Sequence, residues 1–134
     1  MNKVTGSCLC GAVQFECRDS FSQFHFCHCT QCQKATGSAH VANLFTDLNN
    51  IDWISGQEKV KRYDVPGRTI SSAFCSDCGS PVPYSSLTGD ALVVPAGSLN
   101  DAVSIVPEDN IFWSERASWY EHGVESEKFD GFSK

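Results

Sequence analysis

The sequence predicts a mainly β domain with one or two short helices, and three observations carry that expectation. Apolar residues recur at every second position in several stretches, turn-forming residues separate those stretches at short intervals, and helix is plausible only in two brief segments. Successive side chains of a strand point to opposite faces, so a period of two marks a sheet with one face buried.

The elements follow in order. Val13, Phe15 and Cys17 alternate with Gln14 and Glu16, and Phe24 and Phe26 alternate with Gln23 and His25. A short helix is expected after Cys29, from Thr30 to about Ala35. Strands are expected over residues 39–45, 59–65, 69–74, 82–85 and 91–96. The punctuation between them is Ser55-Gly56, Pro66-Gly67, Gly79-Ser80-Pro81 and Thr88-Gly89-Asp90, residue pairs suited to tight turns. A second helical segment is expected over residues 114–119, and from Gly123 onward the chain reads as a weakly structured tail. The organisation is therefore one domain over residues 1–122 and a tail over 123–134, without internal repeat or linker.

A chain of 134 residues supports one modest core. No window approaches the length of apolar sequence that spans a bilayer, and the polar opening from Met1 to Ser7 lacks the apolar stretch of a secretory signal. The expected compartment is the reducing cytoplasm, where clustered cysteines are metal ligands before they are disulfides; a secreted disulfide scaffold is the alternative. The formal charge of −6 argues against nucleic acid and anionic membrane as partners, because phosphate contacts need clustered cations. The basic run Lys59-Val60-Lys61-Arg62 is read as the wet face of a strand.

Seven of the 8 cysteines fall into three clusters: Cys8-Leu9-Cys10, Cys27-His28-Cys29-Thr30-Gln31-Cys32 and Cys75-Ser76-Asp77-Cys78. Zinc takes four ligands in a closed structural site, and a catalytic site keeps one position open. Seven thiols divide accordingly. Cys75-x-x-Cys78 followed by Gly79 has the form of a zinc knuckle, and Cys8-x-Cys10 supplies its complement. Taken alone, the C-x-x-C pair also suits a redox dithiol. Joining the two pairs closes a loop of about 65 residues, which restricts the unfolded chain. Cys27, Cys29 and Cys32 then form a site of three, whose open position suits a substrate thiol: zinc keeps a bound thiol deprotonated near neutral pH. His28 lies between two ligands and, in an extended stretch, faces away from them; it is read as a supporting or exposed residue, with a role as ligand as the alternative. Cys17 shares the apolar parity of Val13 and Phe15 and is expected to be buried and inert, with a role as fourth ligand as the alternative.

At these residues the chain resembles the glutathione-dependent formaldehyde-activating enzyme family, which includes centromere protein V-like proteins. The resemblance runs from about residue 3 to 120. It rests on Gly6-Ser-Cys8-Leu-Cys10-Gly11-Ala-Val13-Gln-Phe15, on Cys27-His28-Cys29-Thr-Gln-Cys32-Gln-Lys34-Ala-Thr-Gly37-Ser38, on Phe74-Cys75-Ser-Asp-Cys78-Gly79-Ser80 and on Pro95-Ala-Gly97-Ser-Leu99-Asn100. It implies small, coiled β-sheets organised around two zinc ions. Cys8, Cys10, Cys75 and Cys78 match the family's structural ligands, and Cys27, Cys29 and Cys32 its catalytic ones. It also implies condensation of formaldehyde with glutathione to S-hydroxymethylglutathione, a carbon–sulfur lyase reaction in reverse. Where the family carries His-Ile-Phe or His-Ile-Tyr near its end, this chain has Asn110-Ile111-Phe112.

Two functional expectations follow. The first is a zinc-dependent carbon–sulfur lyase-like enzyme acting on the adduct of a small thiol, such as glutathione, with a small aldehyde. In it Lys34 can offer a cation to a substrate carboxylate, Gly37-Ser38 can admit a close approach, and Trp113 and Trp119 can wall a pocket; each residue also has a plain structural explanation. The second is a binding module in which zinc serves architecture alone. A rubredoxin-like iron site would need four thiolates as paired C-x-x-C knuckles, and only Cys75-x-x-Cys78 is independent here, since Cys29-x-x-Cys32 belongs to the three-cysteine cluster.

Overall fold

The alternation read at Val13, Phe15 and Cys17 becomes the buried face of a strand in one of three small sheets. The structure is a computed structural model and describes residues 2–133. Its strands are β1 (Lys3–Ser7), β2 (Gln14–Arg18), β3 (Gln23–Cys27), β4 (Val41–Thr46), β5 (Asp52–Ser55), β6 (Val60–Asp64), β7 (Ser71–Cys75), β8 (Tyr84–Ser85), β9 (Leu92–Pro95) and β10 (Asp109–Ile111). Two helices, α1 (Thr30–Thr36) and α2 (Tyr120–Glu125), and three short 3₁₀ turns complete it. β1, β2 and β5 form one antiparallel sheet in that order. The second sheet has the order β10-β3-β4-β9-β8, antiparallel except where β10 runs parallel to β3. β6 and β7 make a separate hairpin.

Two cores result. Val4, Phe15 and Cys17 from the first sheet meet Phe24, Leu44, Leu92 and Val94 from the second. Cys8, Val13, Ala73, Cys75 and Val82 form the other, directly beneath a cysteine cluster. Cys17 is therefore a core residue. Burial, with the nearby Asp52 charge, pushes its thiol up to about 11, so it stays neutral at physiological pH. We expect Cys17→Ala to keep its full metal content and to lose on the order of 1 kcal/mol of stability, read by metal analysis and thermal unfolding.

Three strands lie outside the sequence-based expectation. β1 carries a glycine, while β5 and β10 have only four and three residues, so none shows a clear period. The 114–119 segment is not a helix either. A 3₁₀ turn covers Trp113–Glu115 and the helix comes later, as α2, running across position 123. The Pro95–Asn100 motif finds its role in joining the sheets: after a 3₁₀ turn, Leu99 bridges to Gly6 and the Asn100 N–H donates to the Thr5 carbonyl.

Gly56 ends β5 at φ 76°, and a Cβ placed there would lie 2.1 Å from the Ala12 carbonyl oxygen. Gly67 has a similar φ of 71° with open space around it. We expect Gly67→Ala to cost about 1 kcal/mol, the penalty of the left-handed backbone alone, and Gly56→Ala at least about 2 kcal/mol more, because backbone must move. Chemical denaturation of the pair separates the two contributions.

Candidate metal centres

The four-cysteine cluster forms where two turns meet. Cys8 follows β1 and Cys10 lies two residues on, in a turn whose Gly11 N–H donates to the Cys8 carbonyl. Cys75 is the last residue of β7. The turn to Cys78 closes with the Gly79 N–H on the Cys75 carbonyl at 2.7 Å, and Gly79 takes a φ of 78° that L side chains resist. The four sulfurs lie within 4.8 Å of one another, with Cys8–Cys10 at 3.6 Å and Cys10–Cys75 at 3.9 Å. A tetrahedron of sulfurs around zinc at 2.3 Å has edges of about 3.8 Å, so the donor set fits that ion. The Val13 N–H points at the Cys8 sulfur, 3.2 Å away. Ser80 Oγ lies 3.3 Å from the Cys78 sulfur and accepts the Leu9 N–H, tying the two turns together; this contact holds the Cys78 thiol down at about 5.

The three-cysteine cluster is built on one short segment. Cys27 ends β3, Cys29 is the N-cap of α1, and Cys32 lies in the first helical turn. Their sulfurs also lie within 4.8 Å of one another, and the Cys32 N–H donates to the Cys29 sulfur at 3.3 Å. Burial pushes the Cys27 and Cys32 thiols up. Without a cation these two hold their protons, and a divalent ion would displace them. The C-terminal segment braces the turn from behind. Glu115 accepts the Thr30 N–H through its carboxylate, its carbonyl accepts Gln33 Nε2 at 3.0 Å, and the Ile111 carbonyl accepts the His28 N–H.

The clusters differ in what lies above them. A cavity of about 420 Å³ is lined by Cys27, Cys29 and Cys32 and by none of Cys8, Cys10, Cys75 or Cys78. Its walls come from β4, β7, β8 and β9, and Phe112 stands at its rim with a φ of 54°. Tyr84 lines it too, its hydroxyl pushed up to about 12 by burial and by the nearby Cys32, so that it remains a hydrogen-bond donor at neutral pH.

A family model described as "Glutathione-dependent formaldehyde-activating enzyme" matches residues 3–115, a span that takes in both cysteine clusters and the bracing Glu115. The chain belongs to this family. A solved structure of a Rhodobacter sphaeroides protein shares the fold, with a TM-score of 0.60 and 21% identity over 77% of this chain and 97% of that one. No curated protein matches the sequence at a significant level.

Within this family member, residues other than the cysteines occupy places that sequence reasoning left open. His28 is fully buried and not exposed. It is packed against His40, Trp113 and Tyr120, and its Nε2 lies 2.9 Å from Asn110 Oδ1. Asn110 thus anchors the ring between two cysteines. Glu115 and Gln33 gave no signal beyond their polarity. Lys34 is exposed on α1, and neither it nor Trp113 nor Trp119 lines the cavity. Gly37 closes α1 in the left-handed conformation, which accounts for it structurally. Among the described residues no helix is long and apolar enough to cross a membrane.

Proposed function

We propose that Cys27, Cys29 and Cys32 hold a catalytic zinc ion with one open position, that Cys8, Cys10, Cys75 and Cys78 hold a structural one, and that the protein makes or breaks the carbon–sulfur bond between a small thiol and an aldehyde. The observation that supports this reading is the partition itself: the sulfur-bearing residues of one cluster line the cavity, and those of the other do not. Zinc in the three-sulfur site would supply Lewis acidity that keeps a substrate thiol deprotonated near neutral pH. The protein's own groups do the rest. The braced turn fixes the three sulfurs on one side of the cavity, and the walls hold the aldehyde beside them, replacing a bimolecular encounter with a positioned one. The Tyr84 hydroxyl offers its proton in hydrogen bonding to the carbonyl-derived oxygen.

The family's name makes glutathione and formaldehyde the first substrate pair to try. Exchange spectroscopy on the zinc-loaded protein, with formaldehyde and a panel of small thiols, is expected to show adduct exchange faster than in protein-free buffer for at least one thiol. Background rates across the whole panel would overturn the enzymatic reading in favour of a zinc-stabilised binding module.

A further inference from the structure

The cavity above Cys27, Cys29 and Cys32 carries a charge bias that the family match does not account for. Among the described residues, its lining contains no lysine and no arginine. Its apolar walls are Val41, Phe45, Ile70, Phe74, Leu87 and Phe112. His25 lines it as well, but Nδ1 is held by the Asp109 carboxylate and Nε2 faces Gln23 Oε1 at 2.8 Å. Arg62 approaches the Tyr84 ring to 5.6 Å, yet its nitrogens are engaged with Asp64 at 2.9 Å, the Ser85 carbonyl at 2.6 Å and Ser71 Oγ at 3.2 Å. Lys34, the cation nearest the cluster in sequence, is exposed on α1 and outside the lining.

With a zinc ion held by Cys27, Cys29 and Cys32, the floor of the cavity would be negative. Three thiolates around a divalent ion sum to one negative charge, and a fourth, substrate thiolate makes two. A carboxylate entering here would meet neutral donors such as Gln31, Thr69 and Ser72 among mostly apolar walls, but no counter-cation to offset its desolvation, and would face charge of its own sign. The neutral polar groups favour a different ligand. Asn43 lines the cavity, and its Oδ1 is buried without a hydrogen-bond partner. An orphaned acceptor calls for a donor, which a hydroxyl supplies and a carboxylate does not. The adduct of a thiol with an aldehyde carries one such hydroxyl.

We propose that this site takes adducts of aldehydes with neutral, apolar thiols and discriminates against thiols that carry carboxylates, glutathione included. The inference rests on the open position proposed above for the three-cysteine site. The reaction balances without an oxidant: the thiol sulfur bonds to the carbonyl carbon, the C=O π bond breaks, and the thiol proton ends on the oxygen. The reverse steps release thiol and aldehyde.

Three thiols matched in their reacting end test the selection by calorimetric titration of the zinc-loaded full chain: phenylmethanethiol, para-(sulfanylmethyl)benzoate and the methyl ester of the latter. The two neutral compounds are expected to bind at least about tenfold more tightly than the carboxylate and than glutathione. Leu87→Lys, at an exposed position on the rim, adds a cation and is expected to narrow the gap at least about threefold with the two-zinc content unchanged. Equal or tighter binding of the carboxylate or of glutathione overturns the proposal. So does an ester as weak as the carboxylate, which would make size the criterion. Absence of binding by every thiol to a protein holding two zinc equivalents overturns the open-position reading, and this inference with it.

Discussion

Cys75→Ser is expected to unfold the domain or leave it unable to retain metal, and Cys8→Ser to do the same. Both residues are buried and belong to the core that packs beneath the four-sulfur cluster, so the lesion falls on packing and on metal binding together. Cys10 and Cys75 are 65 positions apart, and their sulfurs are 3.9 Å apart. A metal there would tie β1 to β7, which belong to different sheets. Where a site joins distant segments, its binding free energy is folding free energy, of order 10 kcal/mol or more for structural zinc in small domains. Typical domains have a net stability of only about 5–15 kcal/mol, so losing a large share of that coupling is fatal. The measurement is thermal unfolding with metal analysis on the same sample. A Cys75→Ser protein that melts within a few degrees of wild type and binds two zinc ions would refute the structural assignment.

Chelation gives the same contrast without mutation. Removal of metal from the three-sulfur site should leave the circular dichroism of the β-sheets intact, because Cys27, Cys29 and Cys32 span one short segment and cross-link little. Removal from the four-sulfur site should abolish it. Graded chelator, followed by metal release and dichroism together, is expected to show two steps, with unfolding only in the second.

The parts of this molecule that were legible in the sequence are those whose cause is local. Alternation at Val13, Phe15 and Cys17 is a property of one strand, and it foretold which side of β2 is buried. The helix expected after Cys29 is also local in cause: the Cys29 cap, the short polar run and the left-handed Gly37 that closes it all lie within nine residues. The grouping of seven cysteines into four and three was likewise readable, since each cluster is a tight turn and only the pairing of two turns is remote. His28 shows the limit. Strand parity correctly turned it away from the cysteines, but its burial depends on Asn110, Trp113 and Tyr120, supplied more than eighty residues later by a segment with no strong period. The same segment hides β10, whose parallel pairing with β3 cannot be inferred from three residues. The cavity belongs to this class too: its walls come from strands far apart in sequence, and its lack of cations is a property of their assembly.

Cys29→Ser should abolish thiol–aldehyde exchange while the domain stays folded, and the local structure explains why this substitution is the informative one. Cys29 is the N-cap of α1, and its sulfur accepts the Cys32 N–H at 3.3 Å. Serine is among the best N-caps, because its hydroxyl satisfies the same orphaned amide, so the helix and the turn carrying Cys27 and Cys32 are preserved. A neutral hydroxyl, however, is a far poorer zinc ligand than a thiolate, and the remaining two sulfurs do not hold the ion. The expected protein has one zinc instead of two, a melting temperature close to wild type, and exchange no faster than buffer. Cys29→Ala removes the cap as well, and is expected to cost about 1 kcal/mol more than the serine variant. Exchange spectroscopy at matched protein and substrate concentrations decides the matter. Wild-type rates in a one-zinc Cys29→Ser protein would remove the three-sulfur site from the chemistry and place the reaction elsewhere in the cavity. Loss of exchange together with collapse of the fold would show instead that this site, like the other, is architectural.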